Sequence, residues 1–253
     1  MKTLIIANWK SNPDTSGRAV RLARAIEERI PSSRSLDVVI VPPAPFLLPV
    51  KEALHRAKLG AQNSFWAEGG PYTGEISWRQ LREIGARYVI VGHSERKIWS
   101  GETEEMINKK ARALVEHGMT PVLCVGERER GDEAPAVVGG QLKNALRGIR
   151  KNLLKHVVVT YEPVWAISTM PGAEPDTPEN VFRMSLYLRR VLAGLYGYTA
   201  ARHVRFIYGG SVTAATISGF LKEGAMGGAL VGGASLRPKE FEKILLAAAG
   251  HSD

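Results

Sequence analysis

Apolar residues dominated by Val, Ile, Leu and Ala gather in eight short runs, at residues 3–8, 37–42, 59–63, 88–92, 121–125, 157–162, 204–209 and 229–232. Each has the length of a strand, and none alternates cleanly between apolar and polar positions. That pattern predicts parallel strands covered on their outer face by helices. Residues 18–30, 45–56, 78–84, 104–117, 137–154, 178–195, 214–221 and 238–248 instead carry the 3.6-residue period of amphipathic helices. Pro178 and Pro238 suit the first turn of a helix, Thr177 suits the N-cap before Pro178, and Gly118 and Gly224 suit C-terminal stops. An eightfold alternation of strand and helix predicts a closed α/β barrel of the (β/α)8 type rather than an open doubly wound sheet. With no Pro/Ser-rich linker in the way, residues 1–253 are expected to form a single domain.

In such barrels the chemistry sits where strands end and loops begin. Asn8 and Lys10 end strand one, His93 ends strand four, Glu162 ends strand six, Gly209-Gly210-Ser211 ends strand seven and Gly232-Gly233 ends strand eight. Taken singly, Glu162 reads equally well as a capping or salt-bridged glutamate, His93 as a core histidine and Lys10 as a surface lysine. A shared rim changes that reading. Glu162, followed at once by Pro163-Val164-Trp165, becomes a candidate general base beside a movable lid. His93, before a helical turn, becomes an imidazole that backbone N–H groups hold neutral, as a hydrogen-bond donor. Lys10 offers positive charge to an anionic substrate and a developing oxyanion, with Asn8 beside it as a neutral donor. The glycine-bearing turns after strands seven and eight can present backbone N–H groups to a phosphate. A base, an electrophile, a cation and an anion pocket suit enolisation of a small sugar phosphate.

Composition trims the alternatives. Net charge is +9, yet the basic residues 18, 21 and 24, and those at 143, 147, 150, 151 and 155, recur at helical spacing as solvated faces. No nucleic-acid motif accompanies them, so no nucleic-acid partner is expected, while a positive field would steer anionic small molecules. The single Cys124 excludes an internal disulfide and a multi-thiolate metal site, the histidines lack ligand spacing, and neither a Walker nor a dinucleotide glycine pattern is present, so no metal and no cofactor are expected. Ser94 lacks the glycine that a nucleophile elbow needs after it. The longest apolar stretch, 38–50, holds four prolines and cannot span a membrane, and the first apolar run is too short for a signal peptide; a cytoplasmic location and no membrane partner are expected.

Asn8-Trp9-Lys10, Gly60-Ala61-Gln62-Asn63, Tyr72-Thr73-Gly74-Glu75-Ile76-Ser77, residues 91–96, Cys124-Val125-Gly126-Glu127, residues 161–167, 208–212 and 230–236 stand in this order along the chain. Together they resemble the triosephosphate isomerase family over essentially the whole length. The resemblance implies, as established for that family, interconversion of dihydroxyacetone phosphate and glyceraldehyde 3-phosphate through an enediolate, in glycolysis and gluconeogenesis. It further implies that Glu162 moves the proton, that His93 polarises and protonates the oxygens, and that Lys10 and Asn8 bind and stabilise the substrate. Ser211, Gly232 and Gly233 would hold the phosphate by backbone N–H groups, joined by Ser168 from the lid. Ile167 and Leu230 resemble the apolar pair that clamps the glutamate, Glu127 the partner of Trp165, and Glu95 the residue behind Lys10; Tyr208, in the matching stretch 208–212, is a supporting residue. The family is typically a homodimer in which the loop after strand three, here 64–77 with Thr73 at its tip, enters the neighbour's active site.

The lid departs from the pattern of that family. Ser168 and Met170 stand where glycines are usual, and Pro171-Gly172-Ala173-Glu174-Pro175-Asp176 makes a longer hinge. A residue with a Cβ is restricted wherever a loop needs positive φ. Either the prolines stiffen the hinge, or Gly172 takes over the bending and the added length admits a four-carbon ketose phosphate. A barrel that binds sugar phosphates without turnover is the further alternative, and the intact lysine, histidine and glutamate argue against it.

Overall fold

The computed structural model describes residues 2–250. Eight parallel strands close into a barrel in sequential order, β1 Thr3–Asn8, β2 Leu36–Val41, β3 Lys58–Ala61, β4 Tyr88–Val91, β5 Thr120–Val125, β6 Val158–Tyr161, β7 Arg205–Tyr208 and β8 Gly228–Val231. β8 closes on β1 with Ile5 opposite Ala229 and Ile6 opposite Leu230. The strands alternate sides in a way their composition hides, because both sides are apolar. Leu4, Ile6, Val39, Val41, Ile90, Val122, Cys124, Val158, Ile207 and Leu230 pack together inside the barrel. Ile5, Ala7, Val38, Ile40, Val89, Leu123 and Val159 turn outward into the larger core shared with the helices.

The outer ring follows the predicted helices with instructive differences. α1 is Ser16–Glu27, capped by Thr15; after a 3-10 turn at Ala44–Phe46 come α2 Leu47–Ala53 and α3 Trp78–Glu83, the last with a Ser77/Gln80 capping box. α4 is a six-residue helix, Ser94–Trp99, directly after His93, and α5 Glu104–Glu116 ends at Gly118, whose φ is +73°. The helix expected over 137–154 is two elements: α6 Ala134–Leu146, a reversal at Gly148 with φ +78°, and a 3-10 segment Lys151–His156. Apolar periodicity runs through the break because Leu146 and Ile149 are buried on either side of it. α7 Pro178–Tyr196 is capped by Thr177 as expected and is followed by the short α8 Tyr198–Ala201. α9 Ile217–Lys222 and α10 Pro238–Ala249 complete the ring.

α9 stops directly before Gly224, as expected, but the left-handed residue that follows is Ala225, at φ +51°. A Cβ in the left-handed region costs energy that glycine avoids. Ala225→Gly is therefore expected to raise stability by about 0.5–1 kcal/mol, measured by chemical denaturation with an unchanged slope. A loss of stability would show that chain entropy outweighs the strain.

Candidate active site

Trp9, fully buried beneath the rim, anchors the turn after β1. Lys10 follows in the left-handed region at φ +52°, an unusual place for a residue with a side chain. Three contacts hold it there. The Asn8 side-chain carbonyl accepts the Lys10 N–H at 3.0 Å, Gln62 donates to the Lys10 carbonyl at 2.7 Å, and the Lys10 ammonium reaches Glu95 Oε1 at 2.5 Å. The same ammonium donates to Thr169 Oγ1, at the tip of the lid, at 3.0 Å.

His93 ends β4 as the N-cap of α4, and its Nδ1 accepts the Glu95 N–H at 3.2 Å. With Nδ1 accepting, Nε2 carries the N–H that faces inward, and it lies 3.1 Å from Glu162 Oε1. Glu162 is itself buried, its N–H bonded to Val125 O at 2.8 Å. Its carboxylate also accepts from the Ser94 hydroxyl at 2.9 Å and the Ser94 N–H at 3.3 Å. The close passage of β5 and β6 behind it needs Gly126, where a Cβ would come within 1.9 Å of the Glu162 carbonyl oxygen.

Asn8, Lys10, His93 and Glu162 share one cavity of 340 Å³, whose far end is formed by Ser211, Gly232 and Gly233 and whose roof includes Ile167 and Ser168. Leu230 and Ile167 also line it, and both are buried. The Ser211 N–H is directed to the Ala166 carbonyl of the lid at 3.0 Å. A second cavity, of 520 Å³, adjoins Glu162 from the side of α4 and the loop after β5, and Cys124 lines it. Burial and the adjacent Glu162 raise the Cys124 thiol well above its ordinary range, which leaves it an inert core residue.

The lid runs from Pro163 to Asp176. Neither Ser168 nor Met170 has positive φ; the left-handed turn falls on Gly172, at φ +69°. The serine and methionine are thus accommodated without positive φ, because Gly172 does the bending. Trp165 donates to Glu127 Oε1 at 2.8 Å, and the Tyr161 hydroxyl donates to the same oxygen at 2.9 Å. Burial, reinforced by Glu127, raises the Tyr161 phenol, and burial raises that of Tyr208, so both stay protonated. Thr73 projects from an exposed loop tip far along the chain, on a loop braced by Phe65 N–H to Ile76 O at 2.7 Å and by the Phe65 and Tyr72 rings 4.5 Å apart.

Asp176, at the far end of the hinge, is half-buried, and its carboxyl is raised above its usual value by burial first, with Glu127 adding to the effect. Hydrogen bonds from Asn180 and the Thr177 N–H, and the charge of Arg130, oppose this. A raised carboxyl binds its proton more tightly in the folded state, so its contribution is neutral below the ordinary value of 3.8 and becomes a loss of stability as pH rises through the raised value. Asp176→Asn is accordingly expected to melt with the wild type in strong acid and above it at neutral pH. A gap that stays constant with pH would contradict this origin.

Sequence reasoning passed over Ser94, which holds the Glu162 carboxylate, and over Gln62 and Thr169, which hold Lys10. Ser94 stands beside His93 in the chain, but no spacing in sequence signals a contact across 68 residues. No helix of the described residues is long and apolar enough to cross a membrane.

Comparison with known proteins matches residues 3–248 to the family model described as triosephosphate isomerase. The chain is 42% identical to the triosephosphate isomerase of Thermoanaerobacter pseudethanolicus and 43% identical to that of Caldanaerobacter subterraneus subsp. tengcongensis, covering 96% of this chain and 98% of each relative. It is 38% identical to that of Lactiplantibacillus plantarum, over 97% of this chain and 98% of the relative. Likeness of this extent, over a barrel whose rim carries the motif residues in one cavity, places the chain in the triosephosphate isomerase family.

Proposed function

We infer that the chain interconverts D-glyceraldehyde 3-phosphate and dihydroxyacetone phosphate as a cofactor-independent isomerase, through an enediolate, in glycolysis and gluconeogenesis. The observation that carries this reading is the meeting of Lys10, His93 and Glu162 around one cavity that ends in the Gly232-Gly233 turn. The substrate phosphate lies at that turn, among the N–H groups of Gly232, Gly233 and Ser168 and the Ser211 side chain. Glu162 leaves Ser94, takes a proton from the carbon beside the carbonyl and returns it to the neighbouring carbon. The His93 Nε2–H donates to the oxygen that gains charge and exchanges protons between the two oxygens, and the Lys10 ammonium stabilises the enediolate. Asn8 fixes Lys10 and faces the substrate, Glu95 orients the ammonium, and Ile167 and Leu230 keep water from the carboxylate.

The exposed tip of the Thr73 loop supports a homodimer in which it completes the neighbour's site; sedimentation should give the mass of two 27.6 kDa chains. A single domain over residues 1–253 and a cytoplasmic location complete the proposal. The decisive assay is turnover by the purified protein of glyceraldehyde 3-phosphate and, for comparison, a four-carbon ketose phosphate. Rapid conversion of the triose is expected, and turnover confined to the larger sugar would overturn the reading.

A further inference from the structure

The lid is tied to the loop after β5 by a side chain outside the substrate cavity. The guanidinium of Arg130 lies 3.9 Å from the centroid of the Trp165 ring, pairs with Glu174 at 2.9 Å and donates to the Pro175 carbonyl at 3.2 Å. Trp165 belongs to the near stem of the lid, three residues after Glu162, and Glu174 and Pro175 belong to the far stem, in the lengthened hinge. The stems also meet each other, the Glu174 N–H donating to Trp165 O at 3.0 Å. From the same loop that carries Arg130, Glu127 holds the Trp165 indole N–H at 2.8 Å and accepts the Val164 N–H at 2.9 Å through its carbonyl.

A cavity of 330 Å³ lies beneath this junction, walled by Arg130, Trp165, Asp176 and Asn180 among others, so the stems are not set by solid packing there. Their placement depends on a few directional contacts. An exposed ion pair contributes little by itself, and Arg130 and Glu174 are both more than half exposed. What distinguishes Arg130 is that one planar group serves an aromatic face, a carboxylate and a carbonyl drawn from both stems at once. We propose that Arg130 is a positioning residue for the isomerisation, a clamp that holds both stems and thereby keeps Ile167, Ser168 and Thr169 over the site.

This inference rests on the isomerase reading, and its test uses a side reaction that the lid controls. An enediolate left exposed can push its electron pair toward C3, break the C3–O bond and release inorganic phosphate, and the resulting enol takes a proton to become an oxoaldehyde. The variants are Arg130→Gln, Glu174→Gln and the two combined, assayed for kcat, KM and inorganic phosphate released per isomerisation, with melting midpoints alongside. Arg130→Gln is expected to raise KM and phosphate release about five- to tenfold, the range of one lost positioning contact. Glu174→Gln should move both in the same direction by less, and the double variant should be no worse than Arg130→Gln because the two residues serve one contact. Unchanged KM and phosphate release in Arg130→Gln, or effects of the two substitutions that multiply, would overturn the clamp. Glu174→Gln carries the test if Arg130→Gln lowers the melting midpoint. Wild-type protein inactive on the triose would sink the isomerase reading instead, whereas an active wild type with unaltered variants sinks the clamp alone.

Discussion

Glu162→Asp is expected to lower kcat for glyceraldehyde 3-phosphate by roughly 10²–10³-fold, the cost of displacing a general base by about an ångström, with KM nearly unchanged. The backbone at this position is fixed by the Glu162 N–H to Val125 O bond and by the approach of Gly126, so it cannot advance to make up for the missing methylene. The shorter carboxylate also falls back from His93 Nε2 and Ser94 Oγ, now 3.1 and 2.9 Å away. Phosphate recognition at the Gly232-Gly233 turn is left intact. Steady-state kinetics in both directions check the prediction. A rise in KM with kcat preserved would mean that Glu162 binds the substrate rather than moving its proton.

Lys10→Met should act differently, because it removes a charge that meets both the substrate and the intermediate. Methionine keeps a Cβ and a similar length, so the φ of +52° and its supports from Asn8 and Gln62 persist, and the change isolates the ammonium. Loss of one stabiliser of a developing oxyanion costs roughly 10²–10³-fold in kcat. KM is expected to rise as well, because Glu95, now paired with Lys10 at 2.5 Å, would face the approaching phosphate dianion unpaired. Adding Glu95→Gln to Lys10→Met should recover part of the KM and none of the kcat. Recovery of neither would show that Glu95 does not bear on substrate binding.

The contrast between these variants and Arg130→Gln separates three distances from the reacting carbons: a group that moves the proton, a group that neutralises charge, and a group that holds the cover. The altered lid bears mostly on the third. Its serine and methionine avoid positive φ because Gly172 supplies the left-handed turn, and the hinge residues Glu174 and Pro175 provide the partners that Arg130 reaches.

The apolar runs and helical periods of the sequence were enough to determine the barrel, because burial on both faces of parallel strands leaves a continuous apolar signature and each change of period marks a strand or helix. The motif residues were legible for a related reason: barrel chemistry lies at strand ends, so knowing where strands stop places Lys10, His93 and Glu162 on one rim. Only the tertiary structure decided which inward face each strand presents, that 137–154 breaks at Gly148, and that the left-handed residue after α9 is Ala225 rather than Gly224. It alone directed the Ser211 N–H to Ala166 O, turned Glu162 toward Ser94, and stacked Arg130 on Trp165 between the two stems of the lid. Periodicity reports how a residue faces its own element, whereas these contacts join segments far apart in the chain through directional hydrogen bonds and ring faces, and those depend on where closure of the barrel brings the loops.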